Sequence, residues 1–236
     1  MIRPLLAGAG AAVIAHALPA VLASAPLRRR VAPGLSGVGE QTRVALTIDD
    51  GPHPVATPRF LDVLAKQNVH ATFFLLGREL VRNPQLGKEI VAAGHEIAVH
   101  GWEHRMLVLR GPLSTRDDIT RAYEYIAEVT GVVPHWYRPP YGVLSTAAAI
   151  TARRLGMRTV LWTSWGRDWE KRANPDYVHQ NVAKSLHGGG TVLLHDSDCT
   201  SVPGSWAATL GALPRIFAEC DHRGLKIGPL RSHQVN

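Results

Sequence analysis

Carboxylates and imidazoles in this sequence lie just after apolar, strand-like runs, at spacings that suit a divalent metal and acid–base chemistry. Asp49 and Asp50 directly follow the run Val44–Ile48. Neighbouring side chains on an extended chain point in different directions, so one acid can face a metal while the other faces a water. His100 and His104 are four residues apart, and on a helical turn this spacing puts both imidazoles on one face. With Asp50 they form a two-histidine, one-carboxylate set that leaves coordination positions open.

Two further polar side chains could complete a hydrolytic site. Arg138-Pro-Pro-Tyr141-Gly142 is a rigid turn, and its prolines fix the backbone that presents the guanidinium. Arg138 can hold a carboxylate through a bidentate pair and keep it ionised, although an isolated loop arginine more often forms a surface ion pair. His195 ends the apolar run Val192–Leu194 and can donate a proton near neutral pH.

Aromatic residues are concentrated beside a third acid. Trp162, Trp165 and Trp169 are three of the six tryptophans, and Asp168 directly precedes Trp169. Such a wall suits the face of a sugar ring, although tryptophan packs in a core more often than it lines a binding surface. We expect Asp168 and Trp169 to contact the substrate.

Strand-like and helix-like segments alternate along residues 42–236, which predicts an α/β fold with mostly parallel strands and outer helices. The predicted strands are Val44–Ile48, Ala71–Leu75, Glu96–Val99, Arg158–Leu161 and Thr191–Leu194, and the predicted helices begin near Thr57, Asn83, Ser114, Ala147, Asn174 and Trp206. In such folds the chemistry gathers at the carboxyl ends of strands. Asp49, His100 and His195 all follow predicted strands.

Five short motifs occur in an order that resembles the polysaccharide deacetylases, which are carbohydrate esterase family 4 with its NodB-homology domain. The motifs are Thr47–Pro52, His100–His104, Arg138–Gly142, Asp168–Trp169 and Val192–Asp196. The resemblance covers about residues 42–230. It implies a distorted (β/α) barrel and a metal-dependent deacetylase that acts on N- or O-acetylated sugars.

The resemblance also implies a catalytic role for each matched polar residue. Asp50, His100 and His104 would bind the metal, which would be zinc in the first place, although other divalent metals also fit. Asp49 would be the general base that takes a proton from water. Arg138 would orient Asp49 and keep it ionised.

On the substrate side, the resemblance implies that His195 protonates the leaving amine. The backbone N–H of Tyr141 would help to stabilise the oxyanion, and Leu193 would line the pocket for the acetyl methyl group. Asp168 and Trp169 complete the expected substrate-binding set.

The sequence departs from the family pattern at two positions. Ile48 stands where the family usually has Phe, which exchanges one apolar residue for another. Trp165 stands where the fourth motif usually begins with an Asp that helps to hold the catalytic histidine. Either Asp168 or Asp196 takes over that contact, or His195 is less well tuned, and the sequence does not decide between these.

The overall composition excludes several other classes of protein. The chain has 236 residues, of which 45% are hydrophobic and 19% charged, unlike a disordered chain, a collagen repeat or a coiled coil. The net charge is +7, but only Arg28–Arg30 form a basic block, so nucleic acid is not expected as a partner. The two cysteines, Cys199 and Cys220, exclude a disulfide framework and leave open one bridge or two free thiols.

The N-terminal residues are typical of a targeting segment. The segment from Pro4 to Pro26 has no Asp, Glu, Lys or Arg and is long enough to span a bilayer. Within it, Ala23-Ser24-Ala25 has the form of a secretory cleavage site. We predict that residues 1–30 are a signal peptide or N-terminal membrane anchor, with a buried helix of the domain as the alternative. Residues 31–41, rich in Gly and Pro, predict a linker, and the catalytic domain follows over residues 42–236.

The sequence thus predicts an exported or membrane-anchored enzyme of the cell envelope. It would remove acetyl groups from GlcNAc-type sugars of a polysaccharide such as chitin oligomers or peptidoglycan. We expect a monomer that touches a membrane only through its N-terminal segment. Two alternatives stay open, namely a deacylase of the same fold acting on a lipid-linked sugar or a non-sugar amide, and a carbohydrate-binding pseudoenzyme. The complete acid–base set argues against the pseudoenzyme, because a binding module needs no such set.

Overall fold

One parallel β-sheet carries the predicted motifs. The computed structural model describes residues 14–235, and within them the strands hydrogen-bond in the order β5-β4-β3-β2-β1-β7-β6, with β8 beside β1. Each neighbouring pair is parallel. The strands are β1 (Arg43–Asp49), β2 (Thr72–Leu76), β3 (Glu96–Gly101), β4 (Trp136–Tyr137), β5 (Arg158–Thr159), β6 (Ser164–Trp165), β7 (Thr191–His195) and β8 (Lys226–Gly228). The predicted distorted (β/α) barrel is confirmed, and the barrel is open between β5 and β6.

Helices connect the strands on the outside of this sheet. They are α1 (Ala25–Val31), α2 (Ala56–Lys66), α3 (Gly77–Arg82), α4 (Pro84–Ala92), α5 (Pro112–Thr130), α6 (Thr146–Arg154), α7 (Pro175–Ser185) and α8 (Trp206–His222). Asn174 caps α7 as predicted, since its side chain accepts a hydrogen bond from the Tyr177 N–H at 2.9 Å. Helix α2 begins at Ala56, one residue before the predicted start near Thr57. Cys220 is buried in α8, Cys199 is exposed in the preceding loop, and both thiols are free.

Alternation along β1 separates an outer core from an inner one. Val44, Leu46 and Ile48 pack in the large cluster shared with the helices. Ala45 belongs to a second, smaller cluster inside the barrel. Successive side chains of a strand point to opposite faces, so Asp49 lies on the same inner face as Ala45. The hydrophobic pattern of the strand therefore fixes which acid enters the barrel.

Residues 31–41, predicted as a linker, pack against the barrel instead of crossing solvent. The Leu161 N–H donates to the Leu35 carbonyl at 2.7 Å, and the Thr191 hydroxyl donates to the Gly37 carbonyl at 2.7 Å. Gly37 has a φ of 71°, and a Cβ there would lie 2.6 Å from the Thr191 Oγ1. The Gly and Pro content of this segment thus reflects a tight turn in close contact with the barrel, because the same residue types favour both.

The predicted leader lies only partly within the structure. Residues 1–13 are outside the described residues, and the following part forms a 3-10 helix, Leu18–Ala23, and then α1. From residue 14 to residue 235, no helix combines the length and the apolar character that crossing a membrane requires.

Candidate active site

Two adjacent acids at the end of β1 both enter the site. Asp49 is on the inner face of the strand and is buried. Asp50 follows with a φ of 78°, in the left-handed region, which turns the chain so that the second carboxylate also reaches the barrel mouth. The Asp49 Oδ1 accepts a hydrogen bond from the Arg138 Nη1 at 2.7 Å. The same nitrogen donates to the Thr47 hydroxyl at 2.8 Å, one step down the inner face of β1.

Arg138 is fully buried and held from several directions. Its Nε donates to the Val160 carbonyl at 3.2 Å and its Nη2 donates to the Leu161 carbonyl at 2.9 Å. A guanidinium fixed in this way presents one orientation to the Asp49 carboxylate.

Asp50, His100 and His104 converge on one point. The Asp50 Oδ1 lies 3.2 Å from the His100 Nε2 and 3.4 Å from the His104 Nε2. The candidate ligand atoms of the three residues all lie within 4.8 Å of one another. The structure thus brings together the three residues that the sequence predicted as metal ligands.

The predicted helical turn between the two histidines is wrong. His100 lies in β3 and His104 in the loop after it. Gly101, with a φ of 106°, reverses the chain direction, and the N–H of Trp102 donates to the Asp118 Oδ2 at 2.9 Å. The end of β3 and the loop held by Asp118 thus bring the two imidazoles together, as a helical turn would also have done.

The donor set fits a divalent cation. The His100 Nδ1–H donates to the Arg138 carbonyl at 2.9 Å, which leaves its Nε2 free to ligate. The Asp50 Oδ1 is buried without a hydrogen-bond donor among residues 14–235. Burial raises the pKa of Asp50, but the neighbouring imidazoles of His100 and His104 outweigh it and hold this pKa well below its usual range. Burial lowers the pKa of His104 to about 4, so neutral imidazole and ionised carboxylate are the forms present at pH 7.

His195 stands at the end of β7 with Asp168 behind it. The Asp168 Oδ1 is 2.8 Å from the His195 Nδ1, and its Oδ2 accepts from the His195 backbone N–H at 2.8 Å. The Oδ2 also accepts from the Thr209 hydroxyl at 2.7 Å. Burial alone would lower the pKa of His195, but the charge and hydrogen bond of Asp168 raise it to about 10. Both oxygens of Asp168 are therefore engaged by the protein, and the residue lines the same cavity as His195.

A cavity of about 240 Å3 joins these groups to the aromatic residues. The Trp165 ring lies 5.8 Å from the Trp162 ring and 5.2 Å from the Trp169 ring, and the edge of Trp169 faces His195 at 5.6 Å. The three tryptophans form what we call the aromatic wall. Leu193 lines the same cavity beside His195.

Tyr141 also lines this cavity. Its ring packs edge-on against His104 at 4.4 Å and is 50% exposed. Its φ of 60° is in the left-handed region, which is uncommon for a residue with a Cβ and occurs mainly where the surrounding structure imposes it.

Comparisons with known proteins agree with this geometry. Residues 36–160 match the sequence profile of a family described as polysaccharide deacetylase. A chitooligosaccharide deacetylase of Bradyrhizobium sp. is 34% identical over 195 residues, which cover 79% of this chain and 88% of that protein. The chain belongs to the polysaccharide deacetylase family.

Two further relatives show how the family varies. A peptidoglycan-N-acetylglucosamine deacetylase of Listeria monocytogenes is 35% identical over 65% of this chain, which spans only 32% of that protein's length. A solved structure described as a mutant of a carbohydrate esterase family 4 pseudoenzyme with restored activity has a TM-score of 0.74 and 32% identity. The match covers 82% of this chain and 67% of the chain in that structure. As a polysaccharide deacetylase, the chain is a hydrolase of non-peptide carbon–nitrogen bonds.

In this polysaccharide deacetylase, the residues that support the site are those that sequence reasoning missed. Thr47, Asp118 and Thr209 each bond to a functional side chain or loop. Thr47 could have been found, because it shares the inner face of β1 with Asp49. Asp118 and Thr209 lie on helices far along the chain, and no local pattern marks them.

Proposed function

We propose that this protein removes acetyl groups from N-acetylglucosamine residues of a polysaccharide, such as chitin oligomers or peptidoglycan, with a bound divalent metal. One observation carries the proposal: a single cavity brings the candidate metal residues together with two acid–base groups, Asp49 paired with Arg138 and His195 paired with Asp168. Hydrolysis of an amide needs a base for the attacking water and an acid for the leaving nitrogen. A pure binding module has no use for either.

Asp50, His100 and His104 are the residues that would hold the metal. Two imidazoles and one carboxylate leave coordination positions for water and substrate, and nitrogen and oxygen ligands of this kind suit zinc. A divalent cation bound there polarises the amide carbonyl and makes water more acidic. Zinc is therefore the metal we propose.

Asp49 is proposed as the general base. Its Oδ1 is occupied by Arg138 at 2.7 Å, and its Oδ2 lies 3.8 Å from the His100 Nε2. The second oxygen thus faces the candidate metal site, where the attacking water must be held. The contact with Arg138 fixes the orientation of the Asp49 carboxylate.

His195 is proposed as the general acid, and Asp168 as the residue that holds it. The hydrogen bond to Asp168 fixes the Nδ1 side of the ring, so the Nε2–H is the proton available to the leaving nitrogen. Leu193 lines the same cavity, where we propose that it contacts the acetyl methyl group. The backbone N–H of Tyr141 is proposed as a donor to the oxyanion.

The aromatic wall is proposed to bind the sugar. Trp169 is the nearest of its members to His195, so its ring can stack on the sugar that carries the scissile acetyl group. One relative is a peptidoglycan-N-acetylglucosamine deacetylase, and another is a chitooligosaccharide deacetylase. Chitin oligomers are built from the same sugar, N-acetylglucosamine. We therefore propose this sugar as the common unit that the chain accepts.

The similarity to a pseudoenzyme keeps a carbohydrate-binding function as the second candidate. In that case the aromatic wall would bind sugar without turnover. The replacement of the usual acid by Trp165 is the one sequence feature in its favour, and the contact between Asp168 and His195 removes that argument.

We also propose that the protein acts outside the cytoplasm, in the cell envelope, as a monomer. Polymers such as peptidoglycan lie outside the membrane, and the uncharged segment from Pro4 to Pro26 supports export or anchoring. Fractionation of cells that express the full chain, with N-terminal sequencing of the product, would separate a cleaved leader from a retained anchor.

Acetate release tests the enzymatic proposal. The full chain should release acetate from N-acetylglucosamine oligomers with zinc, and chelator should stop the release. Asp49→Asn should bind zinc normally but lose at least about 100-fold in kcat, the scale of a lost general base. Asp117→Asn, an exposed acid with a side chain 65% exposed, is the matched control. Oligomer binding by the zinc-loaded protein without acetate release would favour the pseudoenzyme.

A further inference from the structure

The main chain at the open seam between β5 and β6 is hydrogen-bonded to arginine side chains. The carbonyls of the four consecutive residues 160–163 each accept a hydrogen bond from a guanidinium. Arg138 donates to the first two at 3.2 and 2.9 Å, Arg28 to the third at 2.8 Å, and Arg29 to the fourth at 3.2 Å. A buried carbonyl without a donor is costly, so these arginines replace the strand that would otherwise close the barrel.

Arg28 is the unusual member of this set, because it comes from α1 and is almost fully buried. Only 2% of the residue is exposed. Its Nε donates to the Ser36 hydroxyl at 3.2 Å, and its Nη1 donates to the Leu22 and Ala23 carbonyls at 2.8 and 3.1 Å. Burial, and then the charges of Arg29 and Arg138, lower the pKa of Arg28 to about 10, and no acid acts on it within the described chain. A buried cation without a counter-ion is an expensive way to stabilise a fold.

The carbonyl that Arg28 binds belongs to Trp162, which forms one end of the aromatic wall. The Trp162 ring covers Gly142 so closely that a Cβ at Gly142 would lie 2.6 Å from it. The ring also lies 5.8 Å from Trp165. Any movement of the main chain at residue 162 would therefore shift the wall relative to the turn that carries Tyr141.

We propose that Arg28 is a positioning residue for substrate binding, which fixes the main chain of Trp162 and with it the aromatic wall. The proposal rests on the proposed function in one respect, that the wall binds sugar. Arg28 lies outside residues 36–160, the part of the chain that matches the family profile. The N-terminal helix α1 is thus a working part of the active site, and Arg28 acts through Trp162 without touching the reacting atoms.

Steady-state kinetics on the full, zinc-loaded chain test this role. Arg28→Met keeps the length of the side chain but removes its donors. It should raise KM for N-acetylglucosamine oligomers about tenfold while kcat stays within about twofold, because Asp49 and His195 are not in contact with Arg28. Arg30→Met is the matched control, since Arg30 is two residues away and exposed, and its KM should equal that of the wild type. Arg28→Lys, which can still donate to one carbonyl, should give an intermediate KM.

A double-mutant cycle separates positioning from mere stabilisation. In a Trp162→Ala background the wall has already lost its end, so Arg28→Met should change KM by less than twofold. An equal tenfold rise in both backgrounds, or a fall in kcat with unchanged KM, would overturn the proposal. If Arg28→Met does not fold, Arg28→Lys decides, and a KM equal to that of the wild type would count against the role.

Sugar binding distinguishes failure of this inference from failure of the proposed function. If the wild-type chain releases no acetate, the dissociation constant for N-acetylglucosamine oligomers is measured by tryptophan fluorescence instead. A constant about tenfold weaker in Arg28→Met than in Arg30→Met supports the positioning role even without catalysis. Equal constants in the two variants, or no detectable binding to the wild type, would overturn it.

Discussion

At the scale of single residues, the contact between Asp168 and His195 shows how the chain tolerates the loss of a family acid. Trp165 occupies the position of that acid and points into the aromatic wall. Arg167 then adopts a φ of 53°, a left-handed turn that redirects the chain just before Asp168. The acid three positions later therefore reaches His195. The sequence offers Asp168 and Asp196 as candidates for this contact, but the left-handed conformation of Arg167 leaves no sequence pattern that would favour one over the other.

Asp168→Asn should shift the pH range of activity. Asp168 raises the pKa of His195 to about 10, so the ring stays protonated through neutral pH and can act as an acid. Removing the negative charge should return the pKa toward its ordinary value of about 6.5. The alkaline limb of kcat/KM should then move to lower pH, with activity falling above about pH 7. A pH profile measured on wild type and variant checks this.

The control for this experiment is Asp198→Asn, an acid in the loop after His195 whose carboxylate contacts His53 and the Gly204 N–H. Its alkaline limb should coincide with that of the wild type. An unchanged limb in Asp168→Asn would mean that another group is the acid or that another charge tunes His195.

At the scale of secondary structure, the long strands were predictable, whereas the short strands β4, β6 and β8 were not. The apolar runs that became β1, β2, β3 and β7 are long enough to show a pattern, and their carboxyl ends carry Asp49, His100 and His195. β4 and β6 have only two residues each, too few for any period. The loop after β3 was mistaken for a helical turn because a four-residue spacing of histidines is the same in both.

Asp118→Ala should weaken metal binding although Asp118 is not a ligand. Its carboxylate accepts hydrogen bonds from the N–H groups of Trp102 and Glu103, at 2.9 and 3.4 Å, and so fixes the loop that carries His104. Removal of a group that orients a ligand costs about 10- to 100-fold in metal affinity. Isothermal titration with zinc measures the change.

Asp117→Ala is the control for Asp118→Ala, because Asp117 is adjacent on α5 but exposed and paired only with Arg116. Its zinc affinity should match that of the wild type. A zinc affinity for Asp118→Ala within twofold of this control would show that the loop holds His104 without the Asp118 carboxylate.

At the scale of the whole molecule, the barrel is completed by segments that carry no strand signal. Residues 31–41 looked like a linker because Gly and Pro favour free loops and tight packed turns alike. Two of the arginine contacts at the open seam join residues more than a hundred positions apart, Arg28 with Trp162 and Arg29 with Thr163. Alternation and motif order therefore predicted the fold class and the chemistry. The boundary of the folded unit depended on packing, which a single sequence does not show.

The stability of the whole fold should depend on pH through a buried histidine far from the candidate metal site. His95 is 6% exposed and its Nδ1 accepts the Ala71 N–H at 3.1 Å, which requires the neutral ring. Burial, and then the charges of His70 and Arg231, lower its pKa to about 4. Between pH 6.5 and 4 the unfolded chain therefore binds more protons than the folded one. The contribution of His95 is complete above about pH 6.5 and is lost as the pH falls toward 4.

His95→Asn should flatten this dependence, because the Asn Oδ1 can accept the same hydrogen bond and does not titrate. With a folded pKa of about 4, the wild type should lose about 2.5 kcal/mol through this residue between pH 7.5 and 4.5. The variant should start lower at pH 7.5, since the packing of the ring against Phe73 is lost, but should fall less steeply. Urea unfolding of the metal-free chain at several pH values measures both slopes. His135→Asn, which replaces an exposed histidine, should keep the wild-type slope, and equal slopes in all three proteins would show that the His95 ring is protonated in the folded state.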